Sequence, residues 1–499
     1  MNFQNTKWVK HPKILEINTW VWLESLSHQY GEIITFDNIP DDIIDEEISL
    51  FDAVWFMGVW ERSPKGREIA LHHSDLQMEY RRALPDFKAK DVVGSPYAVH
   101  NYHIDTHLGV EDGLARFRNR LLDKNILIIL DYVPNHVAID HSWVLEDPDI
   151  FIKGTLEDIT LHHKQFFKMN NQIFAHGLDP YFFDSPWTDT IQINAFSEEA
   201  RQKTINALLS IARLCDGVRC DMAMLLTNNV FSRTWGEKVG SPPEKDFWEE
   251  VIQAVKEKFP NFLFIAEVYW DMEWELQQQG FDLCYDKRLY ERLAHENAYT
   301  VKEHLRAEWD YQSKLIRFIE NHDELRAIEK FGEERSRAAA TIVLTLPGGR
   351  LVYEGQTRGF KVKLPVQLGR SPFEEENSNL LKFYHLLLKT MPTIIFKNAN
   401  WSLCELESIG FGDSSYTNLI SYLWEFGDFY RLIVVNFSPY PSKAHIKSEK
   451  LNYGVSNWNF TDLLIQRDFI YSGEDLSKFG LYVELSGWNA HIFSIKKYE

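Results

Sequence analysis

Over most of its length, the 499-residue chain alternates short apolar runs with longer segments of helical periodicity. This alternation is typical of parallel strands joined by crossover helices. The apolar runs lie at residues 14–20, 53–59, 126–133, 216–221, 262–267, 281–286, 314–320 and 350–354. Eight parallel strands, each followed by a helical segment, predict an α/β chain folded as a (β/α)8 barrel.

The helical segments carry the apolar stripe that such a barrel needs. In SEEARQKTINALLSIARLC, the apolar residues Ile205, Leu208, Leu209 and Ala212 recur at the spacing i, i+3, i+4 and i+7. This spacing places them on one side of a helix, where they can pack on a sheet. Similar patterns follow several of the other predicted strands.

Two segments depart from the alternation. Residues 138–194, after the third strand, are of mixed polar and aromatic character and are longer than a usual connection. They predict a small subdomain beside the barrel mouth. Towards the C-terminus, short alternating runs such as NLISYLWEF and FYRLIVVNFS predict an antiparallel β-sandwich. The predicted organisation is a barrel at 1–137 and 195–392, an insertion at 138–194 and a sandwich at 393–499.

Charge limits the classes of partner. The formal net charge of −20 at pH 7 repels phosphate backbones and anionic lipid surfaces, which argues against nucleic acid and membranes. No apolar run reaches the roughly 18 residues of a membrane span. A neutral ligand is compatible with this charge, and the abundant aromatic residues suit sugar rings as well as a core. The sequence makes no prediction of oligomeric state.

The cysteines and the N-terminus bear on location. Cys215, Cys220, Cys284 and Cys404 lack the paired spacing of a zinc site or a disulfide framework, so we expect reduced thiols. The segment MNFQNTKWVKHPK has no apolar core, so no secretory signal is predicted. A cytoplasmic location is the resulting expectation.

Polar residues follow four of the predicted strands. Barrel enzymes place their working residues at these carboxyl ends, because the βα loops converge on one face. One such residue alone is more typical of a helix cap or an ion pair. Four clusters in one barrel pattern favour a functional site. The clusters are Asp131, Asn135 and His136 in DYVPNH, Arg219 and Asp221 in GVRCD, Glu267 in FIAEVYW, and Asn321, His322 and Asp323 in FIENHDE.

These segments resemble the four short conserved regions of the α-amylase superfamily, in the same order and on the same strands. The insertion is similar to the B domain of that family, the sandwich to its C domain, and YAVHNYHID to its aromatic segment after the second strand. The resemblance therefore covers essentially the whole chain. It implies the superfamily fold, with a short B-domain insertion after strand 3.

The resemblance also implies the catalytic roles. Retaining glycosidases of this superfamily use one carboxylate as nucleophile and one carboxylic acid as proton donor. By resemblance, Asp221 is the nucleophile, Glu267 the general acid/base and Asp323 the third carboxylate, which holds the hydroxyls of the distorted sugar. Arg219 shares a strand face with Asp221, because strand side chains alternate with period 2. Its permanent charge keeps the nucleophile ionised.

Further residues match the substrate site of the family. His136 and His322 match histidines that bind sugar hydroxyls, and Tyr102 matches a tyrosine that stacks under the sugar next to the scissile bond. Asp131 belongs to the same predicted site through its place in the first region. The implied substrate is a neutral α-glucoside or oligosaccharide, and no cofactor or metal is expected.

Three alternatives stay open beside hydrolysis of α-glucosidic bonds. A transglycosylase or phosphorylase of the same superfamily would form the same intermediate and deliver the sugar to another acceptor. An inactive sugar-binding barrel would lack at least one of the three carboxylates, whereas all three are present. A metal-dependent barrel hydrolase would ordinarily have His-x-His on its first strand, and INTW at 17–20 has none.

Some positions depart from the family pattern. Asn101 stands where many exo-acting relatives carry an aspartate, and Met224 and Leu225 replace the lysine and histidine of typical endo-amylases. The insertion segment TIQIN matches neither common version, so the sequence predicts no linkage preference. Asn135 matches an asparagine that binds calcium in typical members, but the acids of the insertion do not match the other ligands. We therefore expect activity without calcium.

Overall fold

The computed structural model describes residues 7–392, 398–448 and 450–498. With strands numbered in chain order, eight of them form a barrel: β1 Lys13–Asn18, β2 Ala53–Met57, β5 Leu127–Tyr132, β10 Gly217–Cys220, β11 Leu263–Ala266, β12 Leu283–Tyr285, β13 Leu315–Arg317 and β14 Gly349–Tyr353. The barrel is closed in the order β1-β14-β13-β12-β11-β10-β5-β2, which confirms the predicted fold class.

The barrel strands pair in parallel wherever their register is described, as for β2 with β5 and for β10 with β5 and β11. Both faces of such strands are covered, so their residues are almost continuously apolar. In β5, every residue from Leu127 to Tyr132 is buried. This is why the strands appear in the sequence as short apolar runs.

Helices follow the barrel strands. The helix Glu198–Leu214 begins after Ser197, whose hydroxyl accepts a hydrogen bond from the Ala200 N–H, and acidic residues occupy its first turn. Ile205 and Leu208 of the predicted stripe are buried. Helices of at least eight residues are Thr19–Tyr30, Pro64–His72, Ser74–Ala83, Glu111–Leu122, Glu198–Leu214, Asn228–Trp235, Phe247–Lys258, Lys287–His295, Glu333–Thr345 and Ser378–Thr390.

Shorter helical segments occur in the loops. They are Asp41–Ile43, Trp143–Glu146, Leu156–Leu161, Glu273–Gln278, Ala298–His304, Trp309–Gln312, Ala327–Phe331 and Gly473–Phe479. No helix among the described residues is both long and apolar enough to cross a membrane. All four cysteines are thiols outside any disulfide bond, as predicted.

The chain divides into two compact units. The first comprises Met1–Trp8, Leu15–Tyr285 and Val362–Phe373, and the second comprises Val9–Ile14, Asp286–Lys361 and Glu374–Glu499.

In the first unit, the insertion after β5 contains two small antiparallel ladders. They pair β6 His136–Ala138 with β9 Thr190–Gln192, and β7 Phe166–Met169 with β8 Gln172–Ala175. The segment has its own buried cluster, which includes Val137, Phe151, Phe174 and Ile191. A further ladder pairs β3 Trp60–Arg62 with β4 Val99–Ile104.

In the second unit, the C-terminal segment forms two antiparallel sheets. One has the order β15-β17-β18-β23-β20-β21 and the other β16-β19-β22. Residues of both sheets share one core, including Leu423, Phe460, Ile446 and Val483. The predicted start of this segment at residue 393 lies outside the described residues. The strands are β15 Asn400–Leu403, β16 Glu405–Glu407, β17 Leu419–Phe426, β18 Phe429–Asn436, β19 Ser442–Lys447, β20 Asn457–Asp462, β21 Arg467–Ser472, β22 Leu481–Leu485 and β23 Ala490–Lys497.

Candidate active site

Two neighbouring strands of the first unit end directly before predicted catalytic residues. Strand β10 ends at Cys220, before Asp221, and β11 ends at Ala266, before Glu267. The register places Cys220 opposite Ala266, so the two acidic residues follow paired strand ends. The backbone supports both positions, because the Glu267 N–H donates to the Cys220 carbonyl at 3.0 Å. The fold therefore brings these two predicted residues to one edge of the sheet.

Arg219 joins the two carboxylates. Its Nη1 lies 2.6 Å from Oδ1 of Asp221, and its Nη2 lies 2.7 Å from Oε2 of Glu267. The side chain is 1% exposed. Burial alone would lower the pKa of this guanidinium, but the charge of Glu267 and, to a smaller degree, that of Asp221 hold the pKa well above its ordinary value. A permanent positive charge therefore lies between the predicted nucleophile and the predicted acid/base.

Three aromatic rings surround this guanidinium. The Cζ atom of Arg219 lies 5.3 Å from the ring centroid of Trp55, 5.1 Å from that of Tyr97 and 5.9 Å from that of Tyr285. Ring faces attract a cation and exclude water from it. The rings therefore fix Arg219 without competing for the two carboxylates. These aromatic residues were not predicted from the sequence, since Trp55 and Tyr285 lie within strands and have the pattern of core residues.

Asp131, at the end of β5, holds the loop after β2. Its Oδ1 accepts from Trp55 Nε1 at 3.1 Å, and its Oδ2 accepts from the Gly58 N–H at 2.7 Å. Its carbonyl accepts from Trp60 Nε1 at 2.8 Å. A Cβ at Gly58, whose φ is +75°, would lie 2.8 Å from Cβ of Pro96. Through these bonds, Asp131 fixes the positions of Trp55 and of the backbone at Gly58. Trp60, which is 1% exposed, is a core residue.

Both oxygens of Glu267 accept hydrogen bonds. Oε1 accepts from the Tyr269 hydroxyl at 2.8 Å, and Oε2 accepts from the Met222 N–H at 2.6 Å as well as pairing with Arg219. Met222 has φ of +44°, in the left-handed region that non-glycine residues rarely occupy. A ligand that receives a proton from Glu267 must therefore displace one of these partners. Displacing the Tyr269 hydroxyl requires the least free energy, because a neutral hydrogen bond is weaker than the ion pair with Arg219.

Tyr102 has its hydroxyl fixed and its ring half-buried. The hydroxyl donates to the Val133 carbonyl at 3.0 Å and accepts from the Val133 N–H at 3.2 Å. Its ring lies edge-on to Trp60 and is tilted against Tyr132, with centroid separations of 5.5 Å and 5.4 Å. Burial raises the pKa of Tyr102. The residue is thus a neutral, oriented ring, as a stacking role requires.

His136 begins β6 and lies beside Asn135. Its Nδ1 is 3.3 Å from Nδ2 of Asn135, and its ring centroid is 5.0 Å from that of Trp187. Burial lowers the pKa of His136 to about 4, so the ring is neutral near pH 7. A Cβ at Gly177 would lie 3.0 Å from Nδ1 of His136, so only glycine leaves room there for the ring.

In the second unit, the segment after β13 carries His322 and Asp323. His322 Nε2 lies 3.0 Å from Oδ2 of Asp323, and His322 is buried whereas the Asp323 side chain is 43% exposed. The Asn321 Oδ1 accepts from the N–H groups of Asp323 and Glu324 at 2.9 Å and 3.0 Å. This turn is typical of asparagine and fixes the backbone that carries Asp323.

Similarity to known proteins identifies the family of the chain. The model of the α-amylase catalytic domain matches residues 84–379, which is more than half of the chain. The chain belongs to the α-amylase family. This confirms the family that the strand-end motifs indicated.

The curated relatives of this α-amylase family member are distant. Alpha-amylase MalA of Haloarcula japonica is 25% identical over 282 residues, which cover 54% of this chain and 38% of the relative. Alpha-amylase 3 of Dictyoglomus thermophilum is 22% identical over 290 residues, which cover 55% of each protein. The chain thus spans about half or less of the length of these relatives.

Solved structures match over the whole chain at low identity. The maltogenic α-amylase AmyB from Thermotoga neapolitana has a TM-score of 0.67 at 18% identity and covers 100% of both chains. The α-amylase from Geobacillus thermoleovorans, complexed with acarbose, has a TM-score of 0.67 at 17% identity, covering 99% of this chain and 100% of that one. At this identity, the likeness shows the fold.

The calcium site of typical α-amylases does not fit the residues around Asn135. Its Oδ1, the atom that would bind the cation, accepts from Gln192 Nε2 at 2.9 Å, and its Nδ2 donates to Gln192 Oε1 at 3.1 Å. Gln192 Nε2, which carries two hydrogens, also lies 2.8 Å and 3.0 Å from the carbonyl oxygens of Asn135 and Ile193. An amide N–H donor therefore satisfies the oxygens that a calcium ion would need. Among the described residues, no group of three or more His, Cys, Asp or Glu side chains is placed to hold a metal.

Two departures from the typical α-amylase sequence are buried. Met224 and Leu225, which replace the lysine and histidine after the predicted nucleophile, are 0% and 4% exposed in the turn Ala223–Leu226. Their side chains pack inside the first unit. Sugar contacts of the kind that a lysine and a histidine could make are therefore absent at these two positions.

Proposed function

We propose that this α-amylase family member is a retaining glycoside hydrolase that cleaves α-glucosidic bonds in neutral oligosaccharides or α-glucans. The observation that carries the proposal is the bridge from Arg219 to Asp221 and Glu267 at 2.6 Å and 2.7 Å. Two carboxylates that pair with the terminal nitrogens of one guanidinium belong to one site. Double displacement, rather than inversion, is proposed from the resemblance to the retaining enzymes of this superfamily, in which the two carboxyl groups lie roughly 5 to 5.5 Å apart.

In the first step, Asp221 attacks the anomeric carbon as the bond to the leaving sugar breaks. Glu267 gives its proton to the departing oxygen, so the leaving sugar departs neutral and a glycosyl ester forms on Asp221. Arg219 keeps Asp221 ionised for this attack. Tyr269 is released from Glu267 as the glycosidic oxygen takes its place.

In the second step, Glu267 acts as a base. It removes a proton from water, the water oxygen bonds to the anomeric carbon, and the ester bond to Asp221 breaks. The free sugar keeps the α configuration. Asp323, with His322 beside it, is proposed by its family position to bind the ring hydroxyls as positive charge develops on the sugar.

The remaining predicted residues complete the substrate site in this proposal. Tyr102 supplies a ring face to the sugar before the scissile bond, and His136 binds sugar hydroxyls as a neutral imidazole. Asp131 acts on the substrate through the positions of Trp55 and Gly58. Since the α-amylase from Geobacillus thermoleovorans is complexed with acarbose, we expect acarbose to bind this enzyme as well.

Incubation with maltose, isomaltose, trehalose, sucrose and starch, followed by product chromatography, tests the substrate class. Running the panel with and without phosphate separates hydrolysis from phosphorolysis, and longer products identify transfer to sugars. Asp221→Asn should fold normally and lower kcat by several orders of magnitude, because the ester cannot form. A purified variant that keeps more than about a tenth of the activity would contradict the assigned nucleophile.

A further inference from the structure

The two oxygens of the Glu267 carboxylate have partners of different kinds. Oε2 faces two groups that donate hydrogen bonds and cannot accept them, the Arg219 guanidinium at 2.7 Å and the Met222 N–H at 2.6 Å. Oε1 is held by the Tyr269 hydroxyl at 2.8 Å. Of these three partners, only the hydroxyl can both donate and accept, so only this hydrogen bond can reverse its direction.

This difference decides which oxygen of Glu267 can carry a proton. A hydrogen on Oε2 would point at the hydrogens of a guanidinium or of a backbone N–H, which is repulsive. A hydrogen on Oε1 instead meets the Tyr269 oxygen, which accepts it once the hydroxyl has rotated. Tyr269 can therefore donate to the ionised carboxylate and accept from the carboxylic acid, while the same two oxygen atoms stay in contact.

The backbone after Tyr269 fixes the position of this hydroxyl. Trp270 and Asp271 have φ of +65° and +59°, in the left-handed region that non-glycine residues rarely occupy. The Met272 N–H donates to the Tyr269 carbonyl at 3.3 Å and closes the turn. Such conformations persist where the surroundings enforce them, often at functional sites. The turn therefore holds Tyr269 against Glu267, two positions earlier in the chain.

Other titratable groups around Glu267 come from three further parts of the chain. Asp221, after β10, pairs with the same guanidinium at 2.6 Å. Asp179, in the insertion, is half-buried, and its pKa is raised by burial and, in smaller part, by the charge of Glu267. Tyr285, at the end of β12, is buried, and the charge of Glu267 is one of the smaller causes that raise its pKa. A change confined to the Tyr269 hydroxyl leaves these groups in place, so its effect belongs to the bond with Glu267.

We propose that Tyr269 is a positioning residue that holds the acid proton of Glu267 on Oε1. In the first step, this proton passes from Oε1 to the oxygen of the leaving sugar. In the second step, Oε1 takes a proton from water, and the Tyr269 hydroxyl then accepts a hydrogen bond from the restored acid. The inference rests on the proposed function and deepens it, because it names the oxygen that transfers the proton and the residue that directs it.

The test removes the hydroxyl and keeps the ring, in Tyr269→Phe. The ionised carboxylate loses a charge-assisted hydrogen bond, whereas the acid loses a weaker, neutral one, so the variant favours the acid form. The pH profile of kcat/KM reports the acid of the free enzyme, in which Tyr269 contacts Glu267. On the saccharide that the wild-type enzyme cleaves fastest, the alkaline limb of this profile should therefore move to higher pH, by about 0.5 to 1 unit.

A second substrate and a matched variant complete the comparison. The departure of an acidic phenol from an aryl α-glucoside needs no proton, so kcat/KM of Tyr269→Phe on that substrate should stay within about twofold of wild type. Tyr80 is buried in the first unit, and its hydroxyl donates to the Ala70 carbonyl at 3.4 Å. Tyr80→Phe loses a buried hydroxyl away from Glu267, so both of its profiles should match those of the wild type.

Three results would overturn the proposal. An alkaline limb that stays in place or moves to lower pH would show that the hydroxyl does not favour the ionised form of Glu267. A limb that disappears would assign it to the ionisation of Tyr269 itself. Equal losses of kcat/KM on both substrates, with the limb unmoved, would leave Tyr269 a structural role only.

Infrared difference spectroscopy tests the hydrogen bond without a substrate. Glu267→Gln identifies the carboxylic acid band of Glu267, and this band should persist to higher pH in Tyr269→Phe than in the wild type. A band that titrates identically in both proteins would overturn the inference. A wild-type enzyme that shows the expected displacement but cleaves no saccharide would overturn the proposed function and support the pairing of Tyr269 with Glu267.

Discussion

The guanidinium of Arg219 lies 2.6 Å from the carboxylate of Asp221, two positions further along the chain at the end of the same strand. Strand geometry alone brings two such residues to one face. The pairing places a positive charge beside the atom proposed to attack the sugar. This contact fixes the charge and the orientation of the proposed nucleophile in a buried position.

Replacing Arg219 tests the bridge. Arg219→Met should lower kcat by at least about a hundredfold and destabilise the fold by about 3 to 5 kcal/mol, because two buried carboxylates lose their partner. Arg219→Lys should recover part of the stability but little activity, since an ammonium group cannot reach both carboxylates as a planar guanidinium does. Steady-state kinetics and urea unfolding measure these effects. Full activity in Arg219→Lys would show that the bridge is dispensable.

Changing the acid/base should have an effect that depends on the leaving group. Glu267→Gln removes the proton donor, so it should slow the cleavage of natural oligosaccharides by several orders of magnitude. An aryl α-glucoside with an acidic phenol needs no protonation, so its first step should be far less affected. Stopped-flow measurement of phenol release isolates that step. Equal losses on both substrates would count against the role of Glu267.

Gln192 is expected to replace calcium as the link between the insertion and the end of β5. Exhaustive chelation should leave activity and melting temperature unchanged, because an amide pair already satisfies Asn135. Gln192→Ala should cost about 1 to 3 kcal/mol, since it leaves the buried Asn135 amide unsatisfied. Gln202→Ala, at an exposed glutamine, is the control. Activity that is lost on chelation and restored by calcium would contradict this account.

Acid should destabilise the fold through buried histidines. Burial lowers the pKa of His136 and His141 to about 4 and that of His11 to about 3, whereas an unfolded chain binds these protons near pH 6.5. The unfolded state then binds more protons, so stability falls as the pH drops from about 6.5 to 4, by up to about 1.4 kcal/mol per pH unit for each histidine. Asp189, whose pKa burial raises to about 6, opposes this trend, as do Asp179, Asp246 and Glu275, whose pKa values burial also raises.

Urea unfolding at pH 7, 6 and 5 measures this dependence. The free energy of unfolding should decrease at each step, and His141→Leu should reduce the slope because one titrating group is lost. A free energy that increases towards pH 5 would contradict the predicted protonation of the buried histidines.

The sequence predicted the barrel because parallel strands buried on both faces leave a signal of short apolar runs. Each of the eight runs overlaps one barrel strand, but several strands are shorter than predicted. The predicted strand at 216–221 ends at Cys220, since the backbone turns at Met222, whose φ is +44°. This strand end depends on the hydrogen bond from the Met222 N–H to Glu267, which lies 45 positions further along the chain. The local sequence pattern therefore does not predict it.

The candidate site was predictable only where its residues form short motifs. Arg219 and Asp221 share one motif, and Glu267 lies in another at the expected strand end. The residues that position the members of these motifs come from distant segments. Tyr97 stacks on Arg219, and Gln192 pairs with Asn135 of the DYVPNH motif. These residues lie in a loop and in the insertion, where their spacing carries no periodic signal. Only the fold reveals their contacts.

Trapping the glycosyl ester shows whether Asp221 is the nucleophile. The enzyme is incubated with 5-fluoro-α-glucosyl fluoride, whose ring fluorine slows the second step more than the first, and the digested protein is analysed by mass spectrometry. The proposed double-displacement mechanism predicts one added fluoroglucosyl group on the peptide that contains Asp221, and no label in the Asp221→Asn variant. A label on another residue, or turnover without any covalent adduct and with an initial β-anomeric product, would contradict it.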